Sequence, residues 1–186
     1  SLSVGMGFEP STTLAEAARA AENNDEDSIA RMLFKANNQL NILASGGDAM
    51  LDKTVTAAQY EKLLDMLMVK YPVVMVDLSA APVELKNAVL ARANQVVLVS
   101  TATLASLRLA RSLLLEIKEI RGGSDEGIEM VINMQGFAPA NEVPKGDIEK
   151  AMEFKPAAMI PFEPKIFAGN ESEGKKITSD KAGSAL

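Results

Sequence analysis

The sequence predicts a three-layer α/β/α fold built on a mostly parallel sheet. From residue 40 onward, short apolar runs alternate with stretches of helical periodicity, which is the pattern of consecutive βαβ units. The run Val-Val-Met-Val-Asp-Leu at 73–78 is short, β-branched and without alternation, as expected for a strand buried on both faces. The length of 186 residues, 47% of them hydrophobic, suits one domain, predicted at 1–177 with a flexible tail at 178–186.

The elements before the run at 73–78 follow from caps and breaking residues. Ser11 or Thr12 is predicted to cap the first helix, and Thr56 is predicted to cap the last helix of this half. Pro72 ends that last helix, because the residue before a proline avoids the helical region. The predicted elements are a helix at 14–20, a short helix that starts at Asp25 or Asp27 and has Ile29, Met32 and Leu33 on one face, a strand at 40–44, and a helix from 57 to the residues before Pro72.

The elements after this run continue the alternation. Arg121 and the two glycines that follow end the longest helix with a basic last turn. The predicted elements are helices at 83–93, 104–120 and 148–154, strands at 95–100, 128–133 and 157–161, and one or two helical turns within 166–174.

The composition excludes several classes of function. The chain has no cysteine and no histidine, which excludes disulfides, thiolate metal sites and histidine-based catalysis. The net charge of −6 argues against a nucleic-acid partner. No apolar run approaches the ~20 residues of a membrane span, and the first residues do not form a secretory signal. No nucleophile–base pair stands out, so no catalytic residue is predicted.

Three predicted strands end in polar residues, namely Asp77, Ser100 with Thr101, and Asn133. The carboxyl ends of parallel strands meet at one edge of a sheet, where open α/β folds place their ligands. The sequence therefore predicts a site at this edge. For Asp77 a second interpretation stays open, in which its carboxylate caps the following helix or turn.

The run ending in Asp77 has the form of a Walker B strand, which places a carboxylate near hydrated magnesium. A phosphate loop of the form G-x-x-x-x-G-K-[ST] should accompany it, but these 186 residues contain none. Asp77 with Ser100 and Thr101 also invites comparison with phosphoacceptor receiver domains. That alternative lacks the required acidic pair and the strand-end lysine.

From Pro72 to Lys176 the chain resembles the ATPase-like domain of the CpaE/TadZ pilus-assembly proteins, a branch of the ParA/MinD group. The resemblance is carried by pieces in a shared order and spacing: the strand at 71–78, Val-Val-Leu-Val at 96–99, Leu-Ala-Ser-Leu-Arg at 104–108, Val-Ile-Asn at 131–133, Glu-Val-Pro at 142–144, Asp-Ile-Glu at 147–149, Ala-Ala-Met-Ile-Pro-Phe-Glu-Pro-Lys-Ile-Phe at 157–167, Asn170 and Gly-Lys at 174–175.

This resemblance implies a P-loop NTPase fold of the ParA/MinD type whose N-terminal strand and phosphate loop are missing from these residues. Asp77 would be the Walker B acid, facing magnesium or its waters. Asn133 would hydrogen-bond the adenine edge, and Pro161 with Phe162 would line the base pocket. ATP and magnesium are the cofactors of the family. We expect this chain to bind neither and to be an atypical or degenerate ATPase.

The resemblance also implies a cytoplasmic protein of Flp/Tad pilus assembly, recruited to the cell pole at the inner membrane. Its partners would be proteins of the pilus and secretion machinery and a second copy of itself. The polar stretch at 179–184 is too short for a membrane-binding amphipathic helix, so no direct membrane insertion is expected. Two explanations of the missing loop stay open: a fragment, or a divergent member that works as a scaffold without nucleotide.

Overall fold

The computed structural model describes residues 8, 12–44 and 55–166 of the chain. The predicted tail at 178–186, and all but Ile166 of the predicted turns at 166–174, lie outside these residues. The chain divides into two compact units, Ser1–Arg92 and Ala93–Leu186. The single domain at 1–177 stays a prediction.

Helices dominate the described part of the first unit. The elements are α1 (Leu14–Glu22), α2 (Glu26–Met32), β1 (Phe34–Lys35), β2 (Asn41–Ile42), α3 (Ala57–Lys70) and α4 (Val83–Arg92). β1 and β2 form a short antiparallel pair, in which Phe34 lies opposite Ile42. The predicted strand at 40–44 is thus shortened to two residues.

The first helix begins at Leu14 as predicted, but its cap is Thr13 rather than Ser11 or Thr12. The Thr13 hydroxyl accepts a hydrogen bond from the Glu16 N–H at 3.1 Å, and the Glu16 carboxylate accepts one from the Thr13 N–H at 2.8 Å. This reciprocal pair is a capping box, which satisfies two N–H groups that the helix itself leaves unpaired.

The core of the first unit is built from small residues on α1 and larger ones on α3. Tyr60 and Leu63 of α3 are buried, and they belong to the same cluster as the alanines of α1. The fully buried alanines are Ala15, Ala17, Ala18 and Ala21. An alanine side chain loses no rotamer freedom on burial, and its small size lets two helices approach closely. The alanines of α1 therefore allow close packing, while the larger side chains of α3 fill the core.

The predicted strand at 73–78 is wrong. Residues 73–78 have no regular secondary structure, and the side chains of Val73 and Met75 are 77% and 92% exposed. Among the described residues, no backbone hydrogen bond joins 73–76 to another segment. A strand is stabilised by its ladder and by neighbours on its faces, so β-branched composition alone does not make one.

The second unit is an α/β unit with a parallel sheet. Its elements are β3 (Val96–Thr101), α5 (Leu104–Ile120), β4 (Ile128–Gln135), a 3₁₀ turn (Pro139–Asn141), α6 (Lys145–Met152) and β5 (Ala158–Pro161). The strand order is β3-β4-β5, and both pairs are parallel. The predicted α/β class with a mostly parallel sheet is therefore confirmed.

One face of this sheet carries the core of the unit. Leu98 lies opposite Met130, and both belong to a cluster that includes residues of α5 and α6. Its fully buried large side chains are Leu107, Met130, Ile132, Ile148 and Met152. Val97 and Val99 point to the other face and are 53% and 57% exposed. The three-layer prediction implies that both faces of the sheet are covered. In β3, only the side chains on one face are buried.

Candidate functional site

Asp77 uses its carboxylate to hold the turn that follows it. Its Oδ1 accepts a hydrogen bond from the Ser79 backbone N–H at 2.9 Å, and residues 79–80 form a turn. This backbone hydrogen bond, with a second contribution from the Ser79 side chain, lowers the pKa of the Asp77 carboxyl. The geometry is that of an Asx turn, which favours the capping interpretation of Asp77.

Three of the predicted site residues lie together at the carboxyl edge of the parallel sheet. Pro161 pairs with Gln135 across β4 and β5, and the Phe162 N–H donates to the Gln135 carbonyl at 2.8 Å. Asn133 lies two residues before Gln135 and opposite Thr101 of β3. The structure therefore brings Asn133, Pro161 and Phe162 to one edge. Asp77 belongs to the other unit.

The backbone turns sharply just after Asn133. The Asn133 Oδ1 accepts a hydrogen bond from the Met134 N–H at 2.8 Å. Met134 has a φ of 57°, and the strand pairing shifts register between Ile132 and Gln135. A positive φ is costly for a residue with a side chain, so it persists only where the surroundings hold it. This irregularity lies within β4, which continues to Gln135 and its pairing with Pro161.

An aromatic pair stands beside this turn. Phe137 is 60% exposed, and its ring meets Phe162 edge to face with centroids 4.9 Å apart. Edge-to-face contact is a preferred arrangement of aromatic rings. The exposed face of Phe137 therefore adds an apolar wall to the edge that carries Asn133 and Pro161.

The carboxylate of Glu142 holds the loop that follows β4. The two oxygens of Glu142 accept from the Gly136 N–H at 2.9 and 3.0 Å, and Oε1 also accepts from the Ala138 N–H at 3.0 Å. The neighbouring Val143 N–H donates to the Ala102 carbonyl at 2.9 Å, which ties Glu142 to the end of β3. The backbone N–H of Ala138, and then that of Gly136, hold the pKa of Glu142 below its ordinary value of 4.5.

We expect Glu142→Ala to release this loop. Amide hydrogen exchange at Gly136 and Ala138 should become about tenfold faster, because charge-assisted hydrogen bonds to both amides are lost. Glu149→Ala on α6, an exposed change of equal charge, is the control and should leave both amides unchanged. Equal protection in the Glu142→Ala and unmodified proteins would contradict this role.

The same contact has a defined pH dependence. The folded pKa of Glu142 lies below its unfolded value, so its contribution to the loop is fully present above pH 4.5. It is lost as the pH falls through the folded pKa. Exchange at Gly136 should therefore accelerate on acidification in the unmodified protein beyond the change seen in Glu142→Ala.

The hydroxyl side chains at the end of β3 and the start of α5 form hydrogen bonds with one another. Thr101 and Thr103 both donate to the Ser106 Oγ, at 2.8 and 3.0 Å, and Thr103 caps α5 by accepting from the Ser106 N–H. Ser100, also predicted at this edge, is buried and donates to the Thr101 carbonyl at 3.2 Å. These contacts stabilise the start of α5.

Asp77, the predicted metal-facing acid, does not belong to a cluster of metal ligands in the described part of the chain. Within 12–44 and 55–166, no group of three or more acidic side chains could hold a metal ion. One Asp77 carboxylate oxygen already accepts a hydrogen bond from the Ser79 backbone N–H, and a phosphate loop motif is absent from the sequence.

None of the described helices is long and apolar enough to cross a membrane.

The whole chain matches solved structures of one fold. A ParA family ATPase from Chlorobium tepidum TLS superposes with a TM-score of 0.78 at 17% identity, covering 96% of this chain and 73% of that one. MinD from Pyrococcus horikoshii OT3 complexed with Mg-ADP gives 0.74 at 17% identity, covering 97% and 71%. MinD in the MinC:MinD complex of Aquifex aeolicus gives 0.71 at 17% identity, covering 97% and 72%.

No protein-family model matches the sequence, and no curated protein does. At these identities the likeness establishes the fold alone. The chain has an α/β fold of the P-loop NTPase-like, ParA/MinD type.

Proposed function

We propose that this chain is a localisation and assembly protein of Flp/Tad-type pili whose ParA/MinD-like domain acts through protein contacts, with weak or no ATP hydrolysis. The ParA/MinD fold over 96% of the chain carries this proposal. One protein of this fold was solved in complex with another protein, MinC. A fold of this kind can therefore present a surface to a partner.

The pilus assignment is supported by the ordered motifs of the second half. The pieces at 131–133, 142–144 and 157–167 follow the CpaE/TadZ pattern. Two of them meet at the carboxyl edge of the sheet, where Pro161 pairs with Gln135 and Glu142 holds the loop after β4. The partners proposed are proteins of the pilus and secretion machinery, met in the cytoplasm at the cell pole.

The limited role proposed for ATP is supported by the site residues that the sequence contains and by the phosphate loop that it lacks. The Mg-ADP of the Pyrococcus horikoshii protein belongs to that protein. Asn133, Pro161 and Phe162 suit the base pocket of such a site, and Asp77 suits its metal position by motif. The sequence lacks the loop that would hold the phosphates.

A second candidate function is a scaffold of the same fold that never binds nucleotide. The Asp77 contact favours it, because a carboxylate that holds the Ser79 N–H already has a role without a metal. Both candidates predict no saturable Mg-ATP binding by these 186 residues, and they differ in whether a chain extended upstream of residue 1 binds Mg-ATP.

The pilus role is tested by deleting the gene in its host and restoring it with a fluorescent fusion. Loss of Flp-type pili on deletion, together with a polar focus of the fusion, is the expected result. Normal piliation without the protein, or a diffuse fusion that still restores pili, would contradict the proposal. Antibody detection of the fusion at full length guards against proteolysis.

A further inference from the structure

Strand β3 is an edge of the parallel sheet, and half of its backbone groups point away from the sheet. In the described part of the chain, β3 pairs with β4 alone. The Val96 N–H donates to the Gly127 carbonyl at 2.7 Å, so Val96 and every second residue after it direct their backbone groups to β4. The N–H and carbonyl groups of Val97 and Val99 therefore point outward. Among the described residues, no backbone hydrogen bond joins them to another segment.

This outer edge of β3 lacks the features that keep other strands away. Natural sheets protect their edges with charges, prolines or bulges. Residues 95–107 contain no charged residue and no proline, and β3 pairs with β4 without a register shift from Val96 to Thr101. Val97 and Val99 are also more than half exposed on the open face of the sheet. An extended, uncharged edge of this kind can accept a further strand.

Helix α5 has one flank on the side of this free edge. α5 connects β3 to β4 and α6 connects β4 to β5, and residues of both helices belong to one core cluster. The two helices therefore cover the same face of the sheet, as right-handed crossovers require. Because α6 lies on the side of β5, the flank of α5 that is turned away from α6 lies towards the free edge of β3.

Two exposed leucines occupy that flank of α5. Arg111 marks the opposite flank, because it donates to the Ala151 carbonyl of α6 at 3.2 Å. Leu109 and Leu113 are each two residues from Arg111, which places both nearly opposite it, because each residue turns the helix by about 100°. They are 64% and 39% exposed. An exposed apolar surface therefore lies next to the free edge of β3.

These features define the kind of segment that fits the edge. The outward groups of Val97 and Val99 match the backbone of an extended chain, whose axis would lie about 4.8 Å from β3. The side chains of such a chain alternate between two faces. Those on one face would lie beside Leu109 and Leu113 and must be apolar. Those on the other face would lie beside Val97 and Val99, where β-branched residues pair well.

We propose that the free edge of β3 binds an extended, uncharged strand of a partner protein, with apolar residues at alternate positions. The inference rests on the proposed role in protein contacts and names the kind of segment that the partner supplies. Among its described residues the second unit offers no strand of its own for this edge, because β5 already pairs with β4. The test uses purified protein, so its failure leaves the outcome of the pilus experiment unaffected.

The probe is a fluorescein-labelled peptide, Lys-Thr-Val-Thr-Val-Thr-Val-Thr-Lys. Fluorescence anisotropy should show saturable binding with a dissociation constant below about 1 mM. The same peptide with two prolines at its centre should bind at least about tenfold more weakly, because it lacks N–H groups for the ladder in either strand orientation. At saturation, amide exchange of Val97 and Val99 should become about tenfold slower, because both N–H groups gain a partner.

A substitution on the strand separates the edge from the rest of the sheet. Val97→Pro removes an outward N–H that pairing with β4 does not use, and it should weaken peptide binding at least about tenfold. Val97→Thr is the matched control, because it keeps the N–H and the β-branched shape, and it should bind as the unmodified protein does. Circular dichroism shows whether both variants fold.

A second pair of variants tests the apolar flank of α5. Leu109→Lys should weaken peptide binding at least about tenfold, because it removes apolar cover from the added strand. Leu115→Lys is the control and should leave binding unchanged. Leu115 is 60% exposed on the same helix but lies about 120° around it from Leu109.

Three results would overturn the proposal. They are no saturable peptide binding up to about 1 mM, binding that Val97→Pro leaves unchanged, and slow exchange of Val97 and Val99 before any peptide is added. In the last case, protection that grows with protein concentration would assign the edge to a second copy. Protection that is independent of concentration, or that arises when the chain is extended upstream of residue 1, would assign it to a strand of the same chain.

Discussion

Gly127→Ala is expected to lower the free energy of unfolding of the second unit by about 3–5 kcal/mol. Gly127 has a φ of +71°, and a Cβ at this position would lie 2.3 Å from the Asn94 carbonyl oxygen. That oxygen belongs to backbone, which cannot rotate away as a side chain can. The Gly127 carbonyl also accepts from the Val96 N–H at 2.7 Å, where the pairing of β3 with β4 begins.

Gly122 provides the matched control for this substitution. Its φ is +72°, but a Cβ there would meet nothing within 4 Å. Gly122→Ala should therefore cost only the left-handed strain, about 1 kcal/mol. Urea unfolding followed by circular dichroism measures both variants. Equal losses would show that the contact with Asn94 relaxes without cost.

Ile132→Ala is expected to be comparably severe, lowering the free energy of unfolding by about 3–4 kcal/mol. Ile132 is fully buried in the middle strand, within the cluster shared by α5 and α6. Removing three carbons there leaves a cavity that two helices and a sheet cannot close. The loss should appear in the same urea transition as that of Gly127→Ala.

Val97→Ala is the control, because it also shortens a β-branched side chain on a strand of this sheet. Val97 is 53% exposed, so its loss should stay below about 1 kcal/mol. A loss at Val97 as large as that at Ile132 would mean that the outer face of β3 is covered in solution. It would then contradict the assignment of the core to the other face.

The elements with strong periodicity could be predicted from the sequence. The helix predicted at 104–120, with Arg121 and two glycines at its end, is α5 with the same bounds. The run at 73–78 had the composition of a strand and is not one, because strand formation depends on a paired neighbour. A hydrophobic pattern identifies an apolar segment. The hydrogen bonds between strands depend on a partner strand that can be far away in the sequence.

The candidate site was predictable in part for the same reason. Asn133 and Pro161 end neighbouring parallel strands, so the topology brings them together. In the sequence Glu142 stands out only as part of the Glu-Val-Pro motif, because its partners are backbone N–H groups four and six residues earlier. A carboxylate that binds backbone amides leaves no residue pattern, and the exposed ring of Phe137 likewise follows from the loop geometry rather than from spacing.

The central claim is that this chain works through protein contacts and does not bind nucleotide by itself. Isothermal titration of the 186-residue chain with ATP in the presence of magnesium tests it most directly. The expected result is no saturable binding up to about 1 mM, the weak end of the affinity scale. Saturable binding at about 10 μM or tighter that is lost in Asp77→Asn would contradict the claim and assign Asp77 to a magnesium–nucleotide site.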